Sequence, residues 1–290
     1  MVNKNFIKMA ERMKSSSLPN EKVQPLEQKA KDSIPIQNAN FPNLPTESFI
    51  MSYDGPQGAY FQELIAKTNE TFKGTKAEIL AGTSGEVQGN LIKRMGLIST
   101  IANDSNLRSM GLYLITATQS EYLLKEGKLT NSENNWEDFG MVLYDINGKN
   151  PKEAQAIYNS LKGHRQDLGL SESDLEKKLV IVNAGGEVDS NMPHGVKPII
   201  IPGITQVYTH EILEKVGENP NFNGYGLNGG LPSINQLGSG SRTMYMPDEI
   251  ENIGLRVLFR DGGRGLDARY SDFAYSISVG RVNFARSAST

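Results

Sequence analysis

Few residues in this chain have the types and spacing that chemistry requires. There are three histidines, His164, His194 and His210, and no cysteine, so thiol catalysis, disulfides, Cys-ligated zinc and iron–sulfur clusters are excluded. His210-Glu211 begins like a zinc-protease helix but lacks the second histidine. Gly148-Lys149 is followed by Asn150 and has no upstream glycine, so it is not a phosphate-cradling loop. Gly238-Ser-Gly240 lacks the third glycine of a dinucleotide fingerprint, and Asp145-Ile-Asn147-Gly148 lacks the glycine that a calcium loop needs at its sixth position and reads as a turn. No serine stands in a nucleophile elbow. Asn69-Glu-Thr71 and Asn103-Asp-Ser105 are glycosylation sequons by pattern only. The carboxylates Asp261, Asp267 and Asp272 are the best an enzymatic reading can offer, and no base, nucleophile or metal partner accompanies them. The expectation is a protein without catalytic residues, bound metal or cofactor.

The informative chemistry is compositional. Residues 256–290 contain no Lys, Glu, Gln, Met or Trp, types that fill 62 of the preceding 255 positions. Six of the 11 arginines lie in those 35 residues beside none of the 19 lysines. Arg, Tyr, Ser, Gly, Asp and Phe are the palette of an adaptable recognition surface: Tyr and Arg give large contacts and forked hydrogen bonds, Ser and Gly give adaptability. A Gly-rich terminal strand pair whose Arg and Asp residues make surface ion pairs is the plainer alternative.

Several elements must position these residues. Residues 1–50 read as an arm. A short basic helix fits Phe6–Lys14, and the prolines at 19, 25, 35, 42 and 45 then favour extended chain, either as a loose tail or lying on a neighbouring subunit. Residues 51–106 read as helical, with Tyr60, Phe61, Leu64 and Ile65 on one face and Leu91, Ile92, Met95, Ile98 and Ile101 on another. Strands are expected at 110–117, 139–144, 179–183, 198–201, 254–259 and 280–284, with helices over 118–125 and from Pro151. The Gly-rich section after Asn219 exceeds what connections need, and such excess is usually functional. Short strands among helices imply an α+β class. The net charge of -3 argues against a nucleic-acid partner. No apolar run is long enough to span a membrane, and the first residues lack the apolar stretch of a secretory signal, so membrane insertion is not expected, and the expected place is the cytoplasm or, by a route other than that signal, a virion or cell surface.

Certain motifs carry a resemblance. Gly230-Leu231-Pro232-Ser233, Gln236-Leu237-Gly238, Ser241-Arg242-Thr243-Met244-Tyr245, Asn252-Ile253-Gly254-Leu255 with Leu258 and Arg260, and Phe273-Ala274-Tyr275-Ser276 with Gly280-Arg281-Val282 resemble the C-terminal region of variable proteins from diversity-generating retroelements. The likeness is strongest to those of small-genome archaea, their viruses and related bacteria. Leu114-Ile-Thr-Ala, Trp136-Glu-Asp-Phe-Gly and Pro202-Gly-Ile-Thr-Gln206 fit the same pattern, so the likeness covers about residues 107–290. It implies a C-type-lectin-like domain there, preceded by the helical segment and the arm, with a diversified region at about 253–283. It also implies a mechanism for the composition. Mutating only the adenines of AAC and AAT codons cannot reach Lys, Glu, Gln, Met or Trp, the five types missing here. Calcium dependence and sugar binding are not implied.

On that resemblance, Leu255, Val257, Leu258, Leu266, Phe273, Ala274, Ser276, Gly280 and Val282 are scaffold. Arg260, Asp261, Arg264, Asp267, Arg269, Tyr270, Ser271, Asp272, Tyr275, Ile277, Ser278 and Val279 are the expected solvent-facing, diversified ligand contacts, and Phe259 fits either class. The expected partner is an unidentified protein or cell-surface ligand, and self-association is left open. The competing reading is a structural protein, such as a virion component, whose arm ties subunits together.

Overall fold

Each helix is set by local signals and then by the residues it buries. In the computed structural model, which describes residues 45, 47–79, 87–129, 136–248, 251–262, 265–275 and 280–286, helix α1 (Gly58–Thr71) buries Tyr60, Phe61, Leu64, Ile65 and Thr68 along one stripe. Helix α2 (Leu91–Asn103) starts at Asn90, whose side chain accepts from the Lys93 N–H at 2.9 Å, and it is buried nearly all round. A short turn of helix, α3 (Ser105–Ser109), is capped by Asp104. Thr116 and Gln119 form a reciprocal capping box that starts α4 (Ala117–Lys125), and Pro151 opens α5 (Pro151–Gly163). That capping box also explains why the strand expected over 110–117 shrinks to β2 (Leu112–Leu114): Thr116 already belongs to the helix start, and Gly111 turns at φ +69.

The remaining strands are β1 (Ser48–Ile50), β3 (Glu137–Leu143), β4 (Leu179–Val182), β5 (Gly185–Val188), β6 (Val196–Ile199), β7 (Gln206–Tyr208), β8 (Asn221–Phe222), β9 (Arg242–Tyr245), β10 (Leu255–Arg260), β11 (Leu266–Asp267) and β12 (Asn283–Arg286). Seven of them form one sheet in the order β7-β4-β3-β10-β11-β9-β8. The pair β5-β6 and the triplet β1-β12-β2 form two smaller sheets. The architecture is α+β. All described residues fall within one compact unit, so the helices of the 51–106 segment share a core with the sheet strands that come after them in the chain. Of the expected arm, Ser48–Ile50 is strand β1, paired antiparallel with β12, while residues 1–44 lie outside the described part. Among the described residues no helix is long and apolar enough to cross a membrane.

The central strands are apolar on both faces because both faces are covered. On one side Met141, Leu143, Leu179, Ile181, Leu255, Val257 and Phe259 meet α2 and α5. On the other, Val142, Val180, Val182, Leu258 and Leu266 meet Ile212, Leu213, Phe222, Leu231 and Met244. The Gly-rich section after Asn219 therefore plays a structural role, closing the second face of the sheet. Its anchor is a buried ion pair. Arg242 donates to both carboxylate oxygens of Glu121 on α4, at 2.6 and 2.7 Å, and its guanidinium lies 4.7 Å from the Phe222 ring centre. The turn at Asp145 is likewise structural. Its carboxylate accepts from the N–H groups of Asn147, Gly148 and Gly254, tying the end of β3 to the start of β10.

A third core joins the ends of the described chain. Tyr60, Phe61 and Leu64 of α1 pack on Leu112, Leu114, Val282 and Phe284 beneath the β1-β12-β2 sheet, with Phe61 and Phe284 ring centres 5.0 Å apart.

Candidate ligand-binding site

The site is built where β10 and β3 lose their regular register. Leu255 to Leu258 pair with Leu143 to Gly140 in steps, but Phe259 stands opposite Asp138 and Arg260 opposite Glu137. Phe139 is the extra residue of this β-bulge. Because strand side chains alternate, the bulge puts Trp136 and Asp138 on one face with Phe259, and Glu137 on the other with Arg260.

The inner face holds a buried charge cluster. Glu137 lies 3.5 Å from Arg260 and 3.6 Å from Arg94 of α2, and it also accepts from the backbone and side-chain N–H groups of Asn283 at 3.2 and 2.9 Å. Arg94 further donates to Asn183 at 2.8 Å and to the Ile115 carbonyl, and burial pulls its pKa down against the pull of Glu137 and Asp138. Arg260 is 0% exposed. Its expected place among solvent-facing contacts is thus corrected: β10 is a central strand, and its last side chain turns inward to a carboxylate that the bulge supplies. Asp267 is corrected for a related reason. It is 2% exposed on β11, and burial raises its pKa although two guanidinium N–H groups of Arg269 donate to its Oδ2 at 3.0 and 2.7 Å and the Arg269 backbone N–H donates to its Oδ1.

The Phe259 face ends in a shallow aromatic recess that opens at the surface through Tyr270 and Tyr275. Trp136 stacks on Phe259 at 5.0 Å, Tyr270 stands edge-on to both, and Tyr275 lies nearly parallel to Tyr270 with ring centres 6.0 Å apart. Tyr270 and Tyr275 are 39% and 46% exposed, among the few large hydrophobic side chains so displayed. Asp272 is exposed beside them, and Asp138 lines the recess from β3. Asp138 accepts a hydrogen bond from the Leu91 N–H at the amino end of α2. Burial nevertheless pushes its carboxyl up to about 7, with Glu137 adding to the rise and Arg94 opposing it. The Arg269 guanidinium lies 4.2 Å from the Tyr245 ring centre and 5.9 Å from that of Tyr270.

Neighbouring contacts fix the frame. The Asn90 side chain donates to the Ala274 carbonyl at 2.9 Å, and Asn150 donates to the Ser271 carbonyl at 2.7 Å. Leu255, Val257, Leu258, Leu266, Phe273, Gly280 and Val282 are buried, Ala274 is half-buried, and Phe259 joins both core and recess.

Of the expected contacts, the structure therefore brings Tyr270, Asp272 and Tyr275 together on one open face. Asp261, Arg269 and Ser271 sit half-buried near it, Asp261 accepting from the Gly265 N–H at 2.7 Å. Arg264, Ile277, Ser278 and Val279, and Ser276 of the scaffold, lie outside the described residues. Asp261, Asp267 and Asp272 do not converge as a catalytic set: one holds a turn, one an arginine, and one caps the Ala274 N–H. Among the described residues no three His, Asp or Glu side chains gather as a metal site. Trp136 and Asp138 are the site residues that the sequence reading missed. The available signal was their i, i+2 spacing on a strand together with Trp136 being the only tryptophan of the chain. Comparison with protein-family models, curated proteins and solved structures gives no match to this chain.

Proposed function

We propose that this chain is a non-enzymatic ligand-binding protein whose C-terminal face is rewritten by a diversity-generating retroelement, on a C-type-lectin-like domain. The observation that carries the reading is the composition of residues 256–290, which omits the five residue types that adenine mutation of AAC and AAT codons cannot make. Strand formation gives no reason to exclude Glu, Gln and Met together while keeping Arg and Asp.

The geometry supports the same reading. Tyr270, Asp272 and Tyr275 project from a frame whose apolar residues are buried, so exchanging these three changes a surface and spares the core. The short-strand, loop-rich fold, in which the first and last described strands pair, suits a domain that holds variable side chains on a fixed support. On this reading Arg260 and Asp267 belong to the frame, and the exchangeable set is smaller than the sequence implied.

The test is at the level of the gene. A near-copy of the coding sequence for about residues 253–283, close to a reverse transcriptase gene and differing mainly at adenines, is expected. Its mismatches should fall on the codons of Tyr270, Asp272 and Tyr275 and spare those of Arg260 and Asp267. Absence of any such copy in the source genome refutes the proposal.

A further inference from the structure

The geometry points to an organic cation, an alkylammonium or guanidinium head group, as the ligand class of the recess formed by Trp136, Asp138, Phe259, Tyr270, Asp272 and Tyr275. This deepens the reading above and rests on it in one respect: that this face is the one turned to the ligand.

Three observations carry it. The first is the ring set. The ring face of an indole or a phenol is electron-rich and attracts a cation within about 6 Å of its centre, most strongly where water is excluded. Four rings meet here, and two of them keep a large open surface where few other large hydrophobic side chains among the described residues do. The second is charge. Two carboxyl groups, Asp138 and Asp272, line the recess, and none of the described residues lining it is basic. Asp138 is held from within by the Leu91 N–H and Arg94, and a cation adds a countercharge on its open side, beside the exposed Asp272. The third is a precedent within the chain. Arg269 already lies over Tyr245 and Tyr270 with Asp267 gripping its guanidinium, the same pairing of ring and carboxylate that the recess offers.

The division of labour is also informative. Trp136 and Asp138 lie before residue 253, outside the diversified region, whereas Tyr270, Asp272 and Tyr275 lie within it. The floor of the recess would thus keep a preference for cations while its walls change from copy to copy.

Trp136, as the only tryptophan, is a built-in reporter. The full chain is titrated at constant ionic strength with choline, with N-acetyl-arginine amide and with 3,3-dimethylbutan-1-ol, the uncharged analogue of choline, while Trp136 emission is followed. A saturable change with either cation, at least tenfold tighter than with the neutral alcohol and weakened fivefold or more by Tyr275→Ala, is the expected result. Choline and the arginine derivative separate the alkylammonium from the guanidinium source. Equal binding of the neutral alcohol, or no saturable response to either cation from the folded protein, overturns the inference. The gene-level test is independent. A template copy without cation binding removes only this inference, and cation binding without a template copy removes only the diversification reading.

Discussion

Arg260 gives the sharpest test of how this face is built. As a diversified contact its side chain could be cut away at no cost to the fold, but in the structure it is fully buried against Glu137. Breaking a buried ion pair by removing one partner costs roughly 3–5 kcal/mol, because it leaves a charge uncompensated. For Arg260→Ala the lower end applies: Glu137 keeps Arg94 at 3.6 Å and both hydrogen bonds from Asn283. For Glu137→Ala the upper end applies, since two buried guanidinium groups lose their shared carboxylate and Asn283 loses its acceptor. The expected losses are therefore about 3 kcal/mol for Arg260→Ala and about 5 kcal/mol for Glu137→Ala. At about 2–4 °C per kcal/mol the first corresponds to a Tm lower by roughly 6–12 °C. Urea denaturation followed by circular dichroism measures both, with Tyr275→Ala as a half-exposed comparison expected to lose about 1.5 kcal/mol at most, from its ring contacts. The double variant should lose less than the sum of the two, because the residues share one cluster. If Arg260→Ala unfolds within about 0.5 kcal/mol of the parent protein, the buried cluster and the inward turn of β10 are wrong.

Stability should depend on pH through two buried groups that act in opposite directions. The Asp138 carboxyl, pushed up to about 7 from 3.8, contributes stability that is complete below about 4 and lost as pH rises through about 7. Burial pulls His210 from 6.5 down to about 4, so its contribution is complete above about 6.5 and lost as pH falls through about 4. Asp138→Asn should therefore leave a stability that rises across that window, and His210→Asn one that falls, each by at most about 1.4 kcal/mol per pH unit in urea titrations. Glu121→Gln should destabilise by roughly 3–5 kcal/mol, and Arg242→Lys should fall well short of the parent because lysine lacks the fork that grips both oxygens; thermal denaturation checks both. Arg269→Ala strands the buried Asp267 carboxylate at a cost of about 1–3 kcal/mol, a loss that urea denaturation should find larger at pH 8 than at pH 4, where that carboxyl takes up a proton.

Much of the frame was legible because its signals are local. The Tyr60-Phe61-Leu64-Ile65 stripe, Pro151 at a helix start and the apolar runs 139–144, 179–183 and 254–259 all mark elements that the structure contains. Strands β1, β5, β7, β8, β9 and β11 escaped because each has four residues or fewer, and Gly185-Gly186 carries little strand preference; their pairing partners make them strands. Half of the recess was legible for a different reason. Composition marked residues 256–290 as a unit but could not tell which side chains of that unit face outward.

The sequence by itself therefore determined the α+β class, the helix starts and a C-terminal segment of anomalous composition, all properties of neighbouring residues along the chain. Only the tertiary structure decided orientation. One extra residue, Phe139, shifts the pairing of β3 with β10, and in a strand a shift of one residue sends every side chain beyond it to the other face. That shift brings Glu137 to Arg260 in the buried charge cluster and Trp136 and Asp138 to Phe259, Tyr270 and Tyr275 at the recess. Residues more than 120 positions apart are matched there, and only contact between the strands can match them.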